Sequence, residues 1–419
     1  MKKKKDWQAL VAQLDPKNFQ EPPCLHAGVC GGCVWQNLRY DAQLELKHQM
    51  INRAFSEAGH EEQIDRVIPC PDPFYYRNRM DYVIGWKGEV GLKEYGSWSR
   101  YVDLSTCLLL DEETPKILQT VRELMRDLKL EPWDAKFHRG LVRYCVVRLG
   151  KNTGERMITL VVHDLARFDD AVCREITRRL APLCTTLYLG ENPDTTDLSL
   201  AKTLKLLHGN EYLTEEVNGL RYLIHPNSFF QTNSTMAAEL QKTVLAFLKQ
   251  NKTIDSYSNL LSCSVLDLYC GLGFFGIACA KQGATVEGYE LDVQAIELAK
   301  RNAEINGVAD RTTFGAGAIE SLCHPREGGD LEIPAFAGMT NYDAVIIDPP
   351  RSGLHPRVLK TLLDQAPKTI IYVSCNYKRL VEELKEFKTK YHVEQIAALD
   401  LFPQTPHVEV VVQLKKPSE

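Results

Sequence analysis

The chain has 419 residues, of which 44% are hydrophobic and 25% charged, and its formal net charge at pH 7 is −5. This is ordinary globular composition, with enough apolar residues for a core and enough length for two or three domains. The negative balance excludes a chain-wide nucleic-acid signature, so RNA or DNA binding must come from local patches. The sequence has neither a membrane-length apolar run nor an apolar leader region, which predicts a cytoplasmic protein without membrane contact.

The thirteen cysteines are an odd number in a chain without an export signal, which favours reduced thiols over a disulfide framework. Five of them lie in apolar or helical runs and are predicted to pack in the core: Cys145, Cys173, Cys184, Cys263 and Cys279. Three others, Cys24, Cys30 and Cys33, stand together in "CLHAGVCGGCVWQ". Three thiols cannot complete a tetrahedral site, so a fourth ligand is expected elsewhere, and four thiolates would suit zinc as well as an iron-sulfur cluster.

The first half of the chain divides into three predicted parts. Residues 1–23 form a basic lead-in, and residues 24–73 carry the cysteine segment and an amphipathic helix in "NLRYDAQLELKHQMINRAF". Residues 74–225 alternate short β-rich runs with helices, which predicts an α+β domain with an antiparallel sheet. The predicted strands are "MDYVIGW", "GLVRYCVVRLG", "RMITLVVH" and "TTLYLGEN", and the predicted helices are "TPKILQTVRELMRDL" and "FDDAVCREITRRLAPL".

Residues 226–419 follow a different pattern, in which apolar strands alternate with helices. The strands "SVLDLY", "TVEGYE", "YDAVIID", "TIIYVS" and "VEVVVQL" are separated by "GIACAKQG", "VQAIELAKRNAEIN", "RVLKTLLDQA" and "YKRLVEELKEF". Such alternation predicts an α/β fold with a mostly parallel, doubly wound sheet. A stretch rich in glycine and proline at 324–340 interrupts it and is expected to be a surface loop outside the chemistry.

A glycine-rich turn opens this second part. In "VLDLYCGLGFFG", Gly271, Gly273 and Gly276 follow a strand at G-x-G-x-x-G spacing, and Glu290 ends the next strand. Such glycines let a ligand approach the backbone, and the acid can accept hydrogen bonds from ribose hydroxyls. The pattern fits a nicotinamide dehydrogenase as well as an S-adenosylmethionine enzyme.

Later strands place ionisable side chains at the same predicted edge of the sheet. Asp348 ends the strand in "AVIIDPPRSGLH", and Cys375 follows the strand in "IIYVSCNYKRL", just before a helix whose N-terminus is expected to lower the thiol pKa. In "TPHVEVVVQL" the alternation predicts His407 and Glu409 on one face of the last strand, with Val408 on the other. A possible nucleophile and possible bases therefore meet at one edge.

Five motifs, taken in order, resemble the RNA 5-methyluridine (uracil-C5) methyltransferases: "YYRNRMDYVIG", "HPNSFFQTN", "DPPRSGLH", "VSCNYKRL" and "TPHVE". Together they cover nearly the whole chain. The C-x5-C-G-G-C segment resembles the family's iron-sulfur branch, which modifies 23S rRNA. The resemblance implies a C-terminal class I methyltransferase domain after an N-terminal α+β domain, and a [4Fe-4S] cluster held by Cys24, Cys30, Cys33 and Cys107 of "VDLSTCLLL". Cys70 is the nearer competitor for the fourth position.

The resemblance also implies roles for single residues. The Cys375 thiolate would add to uracil C6, Glu409 would remove the C5 proton, and Asp348 would fix the uracil edge. Gln231 and Phe229 would position the base and the methyl donor. S-adenosylmethionine is further expected to contact Asp267, Gly271, Gly273, Glu290 and Asp348, and Arg351 is expected to contact the substrate. Gly317 and Ala318 stand where relatives usually carry a polar or acidic residue near the adenine.

The predicted activity is therefore methyl transfer from S-adenosylmethionine to C5 of a specific uridine in RNA. We expect a monomer that acts on 23S rRNA, with the uridine flipped out of a loop. The aromatic and basic residues of "FYYRNRMDYVIGWKGEVGLKEYGSWSRY" provide a possible stacking surface, although an ordinary aromatic-rich sheet would read the same way. Three alternatives stay open: a tRNA uridine C5 methyltransferase, a nicotinamide oxidoreductase, and an iron-sulfur RNA-binding protein with impaired catalysis.

Overall fold

A computed structural model describes residues 6–249, 260–261, 263–322 and 342–417. The predicted surface loop at 324–340 lies outside these residues. The N-terminal part contains two helices and a short strand: α1 (Asp6–Val11), α2 (Tyr40–Glu57) and β1 (Val67–Ile68). Short 3-10 helices occur at Pro16–Asn18, Leu165–Arg167, Ala181–Leu183 and Ala309–Arg311.

The middle of the chain forms a seven-stranded sheet and a hairpin. The sheet strands are β2 (Arg79–Ile84), β3 (Val90–Lys93), β4 (Tyr101–Asp103), β5 (Val142–Leu149), β6 (Arg156–Val162), β7 (Thr186–Glu191) and β8 (Thr203–Gly209). The helices are α3 (Thr114–Asp127) and α4 (Asp170–Leu180), and the hairpin is β9 (Leu213–Val217) with β10 (Leu220–Ile224).

The sheet order is β4-β3-β2-β5-β6-β7-β8. The sequence predicted an antiparallel sheet, and this is wrong for one pair, because β6 and β7 run parallel. Helix α4 connects these two strands and returns the chain to the same end of the sheet, which a parallel pair requires.

The C-terminal part forms an eight-stranded sheet flanked by helices. Its strands are β11 (Ser264–Leu268), β12 (Thr285–Glu290), β13 (Thr312–Ala316), β14 (Ala344–Ile347), β15 (Thr369–Ser374), β16 (His392–Leu399) and β17 (Glu409–Lys415), together with β1. The helices are α5 (Ser234–Lys249), α6 (Phe274–Lys281), α7 (Val293–Ile305), α8 (Ile319–Leu322), α9 (Pro356–Gln365) and α10 (Tyr377–Phe387).

The strand order is β1-β16-β17-β15-β14-β11-β12-β13. Strands β11 to β15 pair in parallel, and β17 is antiparallel to both of its neighbours. The prediction of a mostly parallel, doubly wound sheet is therefore confirmed. The carboxyl ends of β11, β12, β14 and β15 meet at one edge, where open α/β sheets bind their ligands.

The N-terminal segment packs on this C-terminal sheet. Strand β1 pairs with β16, and the apolar face of α2 shares one buried cluster with α10, including Phe55 and Phe387 at 0% exposure. A buried ion pair joins Lys47 of α2 to Asp400 just after β16, with Nζ and Oδ1 2.5 Å apart and both side chains fully buried. The predicted domain boundaries at 23, 73 and 225 stay predictions. Among the described residues, no helix is long and apolar enough to cross a membrane.

Candidate active site

The glycine-rich turn connects β11 to α6 at the ligand-binding edge. Gly273 is the residue before α6 and has φ 88°, a left-handed conformation that favours glycine. A Cβ on Gly276 would lie 3.1 Å from Asp267 Oδ2 and 3.0 Å from a methyl of Val286, so the helix needs glycine there to approach the sheet. The glycines thus let α6 pack closely on the sheet; Gly273 and Gly276 are buried, and Gly271 is partly exposed at the end of β11.

Two acids lie beside this turn. Glu290 ends β12, and its carboxylate accepts the backbone N–H groups of Gly271 (3.3 Å), Leu291 (2.7 Å) and Asp292 (3.1 Å). These contacts fix the carboxylate next to the glycines. Asp267 is fully buried; its Oδ2 accepts the Gly276 N–H at 2.9 Å, and its Oδ1 has no hydrogen-bond partner in the structure. Burial raises the pKa of Asp267 to about 8, although the Gly276 N–H opposes the shift.

Asp348 and Gln231 meet across the same edge. Gln231, 8% exposed, donates from Nε2 to Asp348 Oδ2 over 3.4 Å. Burial raises the pKa of the Asp348 carboxyl above its ordinary value. Phe229, two residues before Gln231, has a ring that is 69% exposed and is available for contact with a ligand.

Cys375 follows β15 directly, and helix α10 begins two residues later. The expectation of a lowered thiol pKa is wrong for this structure, because the pKa of Cys375 is raised to about 11. Burial is the largest cause, and the negative charges of Glu409 and Asp348 add to it, while Arg351 acts in the opposite direction. The helix N-terminus is outweighed by the two carboxylates and by desolvation.

Glu409 is the first residue of β17 and is 3% exposed. Burial and the nearby Asp348 hold its pKa well above the ordinary carboxyl value. Glu409, Asp348 and Cys375 are therefore close enough to perturb one another, as the sequence predicted. His407 differs from its prediction, because it precedes β17 and does not share a strand face with Glu409. Its Nδ1 lies 3.0 Å from an Arg351 guanidinium nitrogen.

The loop that leads to Glu409 is held by the cysteine segment. The backbone N–H groups of Val34 and Trp35 both donate to the Gln404 carbonyl, at 3.0 and 3.1 Å. Gln43 of α2 accepts the Gln404 N–H at 2.9 Å and donates to the Gln404 side-chain oxygen at 2.9 Å. Gln404 is 1% exposed and has φ 66°, an uncommon conformation for a side chain of this size. The cysteine segment thus fixes the approach of the chain to Glu409.

A cleft of about 960 Å³ opens in front of Cys375. One wall comes from the C-terminal part and includes Arg351, Cys375 and His407, and the other comes from the central sheet and the cysteine segment. This second wall includes Gly31, Gly32, Arg77, Asp81, Lys93 and Tyr95. The cleft is as large as the largest small-molecule pockets, and a polymeric substrate can enter it from the open side.

The four predicted ligand cysteines line one small cavity: Cys24, Cys30, Cys33 and Cys107. Burial raises the pKa of Cys30 to about 11 and that of Cys33 to about 12, and the other thiols contribute to both shifts. Cys70 lies outside this cavity, where its thiol accepts a hydrogen bond from Asn233 at 3.4 Å. Within the described residues, no group of three or more His, Cys, Asp or Glu side chains is arranged to hold a metal ion.

One contributor to the site was not singled out from the sequence. Asn78 is 5% exposed, and its Nδ2 donates to the Gln231 carbonyl (2.7 Å) and to Ser234 Oγ (2.9 Å). It therefore positions Gln231 from the central sheet. Asn78 lies in the "YYRNR" motif, so its presence near the site could have been predicted from that motif. Its hydrogen-bond partners could not, because they depend on tertiary structure.

The doubly wound sheet, the glycine-rich turn with its acid, and a cysteine beside two carboxyls fit one class of protein, the S-adenosylmethionine-dependent methyltransferases. The profile of one family, tRNA (uracil-5-)-methyltransferase, matches residues 39–417, and the chain belongs to this family. It is an S-adenosylmethionine-dependent RNA uracil-C5 methyltransferase. The alternative of a nicotinamide oxidoreductase is therefore excluded.

Relatives in this family act on more than one kind of RNA. The chain is 36% identical to the tRNA (uracil(54)-C(5))-methyltransferase of Pyrococcus horikoshii, over 93% of this chain and 85% of that protein. It is 34% identical to the 23S rRNA (uracil(747)-C(5))-methyltransferase of the same organism, over 93% and 84%. The fold is similar to that of the Pyrococcus abyssi tRNA (uracil-54, C5)-methyltransferase in complex with S-adenosyl-L-homocysteine (TM-score 0.71, 33% identity, 92% of this chain and 86% of that one).

Proposed function

We propose that the protein methylates one uridine at C5 through a covalent bond between Cys375 Sγ and uracil C6. The observation that carries this proposal is the meeting of Cys375, Glu409 and Asp348 at one sheet edge, where both acids raise the pKa of Cys375 and Asp348 raises that of Glu409. Uracil C5 is a weak nucleophile. Addition of a thiolate at C6 places electron density on C5, which can then accept a methyl group.

Glu409 removes the proton that C5 must lose. When C5 takes the methyl group from the sulfonium of S-adenosylmethionine, it still carries its original hydrogen. Glu409 accepts that proton, the C6–S bond breaks, and the Cys375 thiolate leaves. The raised pKa of Glu409 supports this role, since a carboxylate with a raised pKa is a stronger base than an ordinary one.

The remaining residues orient the two substrates. Asp348, held by Gln231, hydrogen-bonds the uracil edge, and its position also lets it contact the methyl donor. Phe229 offers an exposed ring for the base, and Arg351 reaches the cleft beside Cys375.

The methyl donor would lie at the glycine-rich turn. Its amino acid and ribose parts would contact Gly271 and Glu290, whereas the buried Gly273 and Asp267 would shape the turn from beneath, Asp267 by accepting the Gly276 N–H. The fixed carboxylate of Glu290, beside the partly exposed Gly271, fits a ribose that donates two hydroxyls.

We infer that the RNA is 23S rRNA, bound in the cytoplasm by a monomer, with the target uridine flipped from a loop into the cleft. The cysteine segment supports the rRNA assignment through its resemblance to the rRNA-modifying branch. The chain is about as similar to a tRNA-modifying relative as to a 23S rRNA-modifying one, so tRNA is the second candidate substrate.

Labelled S-adenosylmethionine with transcripts of 23S rRNA and of tRNA tests both substrates. We expect label in 5-methyluridine at one position of 23S rRNA and none with Cys375→Ala. Label in tRNA alone would transfer the activity to the second candidate. Label in neither RNA, with a native enzyme that binds S-adenosylmethionine, would refute the proposed function.

We also propose that Cys24, Cys30, Cys33 and Cys107 hold a [4Fe-4S] cluster. The donor set supports it, because four thiols face one cavity that leucine side chains line as well. The choice of a cluster over zinc rests on the resemblance of the cysteine segment to the family's iron-sulfur branch, since four thiolates suit both. The cluster would join the cysteine segment to the Cys107 loop, and through Gln404 it would support the loop that leads to Glu409.

Iron and sulfide analysis of protein purified without oxygen tests the cluster. Cys107→Ser should lower the iron content, and Cys70→Ser should leave it unchanged. A colourless protein with one zinc per chain would refute the proposal.

A further inference from the structure

Arg77 lines the cleft and has no carboxylate partner among the described residues. Its side chain is partly buried and lines the same cleft as Cys375. Its Nε donates to the Tyr76 hydroxyl over a long 3.4 Å contact. Within the described residues, Arg77 makes no ion pair with a carboxylate. A guanidinium has five N–H donors, and one weak contact leaves most of them for a ligand.

The carboxylates of the cleft are already paired with other cations. Asp81 accepts from Arg79 at 2.6 Å, and Glu94 accepts from Arg100 at 2.7 Å. Neither cleft carboxylate is therefore left to pair with Arg77, and the nearest negative groups are the Cys33 and Cys107 thiols, whose charged forms its guanidinium favours. An anion that enters from solvent is the natural partner for a desolvated guanidinium.

The backbone of Arg77 is held on both sides. Its N–H donates to the Leu109 carbonyl at 2.8 Å, two residues beyond Cys107, and it forms an isolated bridge with Asn233. The next residue, Asn78, carries the hydrogen bonds to Gln231 and Ser234 described above. The backbone of Arg77 is thus fixed between the cysteine cavity and Asn78, which contacts Gln231, so the point from which its side chain enters the cleft is set before substrate binds.

We propose that Arg77 binds a phosphate of the RNA strand next to the flipped uridine. The planar guanidinium matches a phosphate with two parallel hydrogen bonds, and the cleft brings the strand past Arg77 on its way to Cys375. The inference rests on the proposed function, because it takes the strand that carries the target uridine as the occupant of the cleft. Arg77 lies on the wall of the cleft opposite Arg351, so the two arginines would hold the RNA strand from both sides.

Binding of a 23S rRNA transcript, measured at several salt concentrations, tests this inference separately from methyl transfer. Arg77→Gln should weaken binding about 10- to 100-fold and lower the salt slope by about 0.7, the value for one phosphate contact on a single strand. Arg77→Lys should keep the slope. The matched control Arg178→Gln removes an exposed arginine of α4 that pairs with Glu175 and should change neither quantity.

Two further readouts keep the test decisive. If Arg77→Gln lowers the iron content and RNA affinity in proportion, Arg77 acts through the cysteine site and the inference is wrong. Unchanged affinity and slope with a folded variant would also refute it. Ethylation interference with the native protein needs no variant: at least one phosphate beside the target uridine should block binding when ethylated, and no such phosphate would contradict the assignment.

Discussion

The raised pKa of Cys375 predicts slow alkylation of the resting enzyme. Because its pKa is about 11 instead of 9.0, the fraction of Cys375 present as thiolate at neutral pH is about 100-fold lower than for an ordinary cysteine. The thiolate that does form is intrinsically about tenfold more nucleophilic, because nucleophilicity rises with pKa. We therefore expect iodoacetamide to modify Cys375 about tenfold more slowly than an unperturbed thiol, and the rate to rise with pH up to about 11.

Mass spectrometry of the Cys375 peptide measures this rate. The urea-unfolded chain gives a matched reference for the same cysteine, and the shape of the pH profile is independent of steric access. Glu409→Gln should shift the profile to lower pH, because it removes the second largest cause of the raised pKa. A native profile that levels off below about pH 8 would mean that the helix N-terminus stabilises the thiolate after all, and the electrostatic description of the site would be wrong.

Lys47→Met should lower the free energy of unfolding in urea by about 3–5 kcal/mol, because it leaves Asp400 charged and buried. The double variant Lys47→Met, Asp400→Leu should recover most of that loss. Equal losses in the single and double variants would contradict this prediction. Asp267 has a folded pKa raised from 3.8 to about 8, so the stability it contributes is complete below about pH 4 and is lost as pH rises through 8. Asp267→Asn should flatten that part of the stability profile, and an unchanged profile would show that Asp267 does not titrate there.

The elements of the C-terminal sheet were largely predictable from local pattern. "TIIYVS" coincides with β15, and "YKRLVEELKEF" coincides with α10, because continuous apolar runs and the 3.6-residue period are local signals. Because Cys375 lies between these two elements, its position at the sheet edge could be predicted from local sequence alone. Pairing direction is not local, so the parallel β6–β7 pair was missed.

The electrostatics of the site could not be predicted from the same patterns. The sequence placed Cys375 before a helix, but the sign of its pKa shift depends on Glu409 and Asp348, which belong to other strands, and on burial. The pairing of β1 with β16 and the contacts of Gln404 with the cysteine segment likewise join residues more than 300 positions apart. The site residues follow from motifs, whereas their protonation follows from packing.

The most direct test of the catalytic roles is electrophoresis under denaturing conditions with labelled RNA and S-adenosylmethionine. Glu409→Gln should accumulate a protein–RNA band that carries the transferred methyl group, because C5 keeps its proton and the thiol cannot leave. Cys375→Ala should form no such band, because nothing adds to C6. A band with Cys375→Ala, or turnover of Glu409→Gln at the native rate, would contradict the assignment of nucleophile and base.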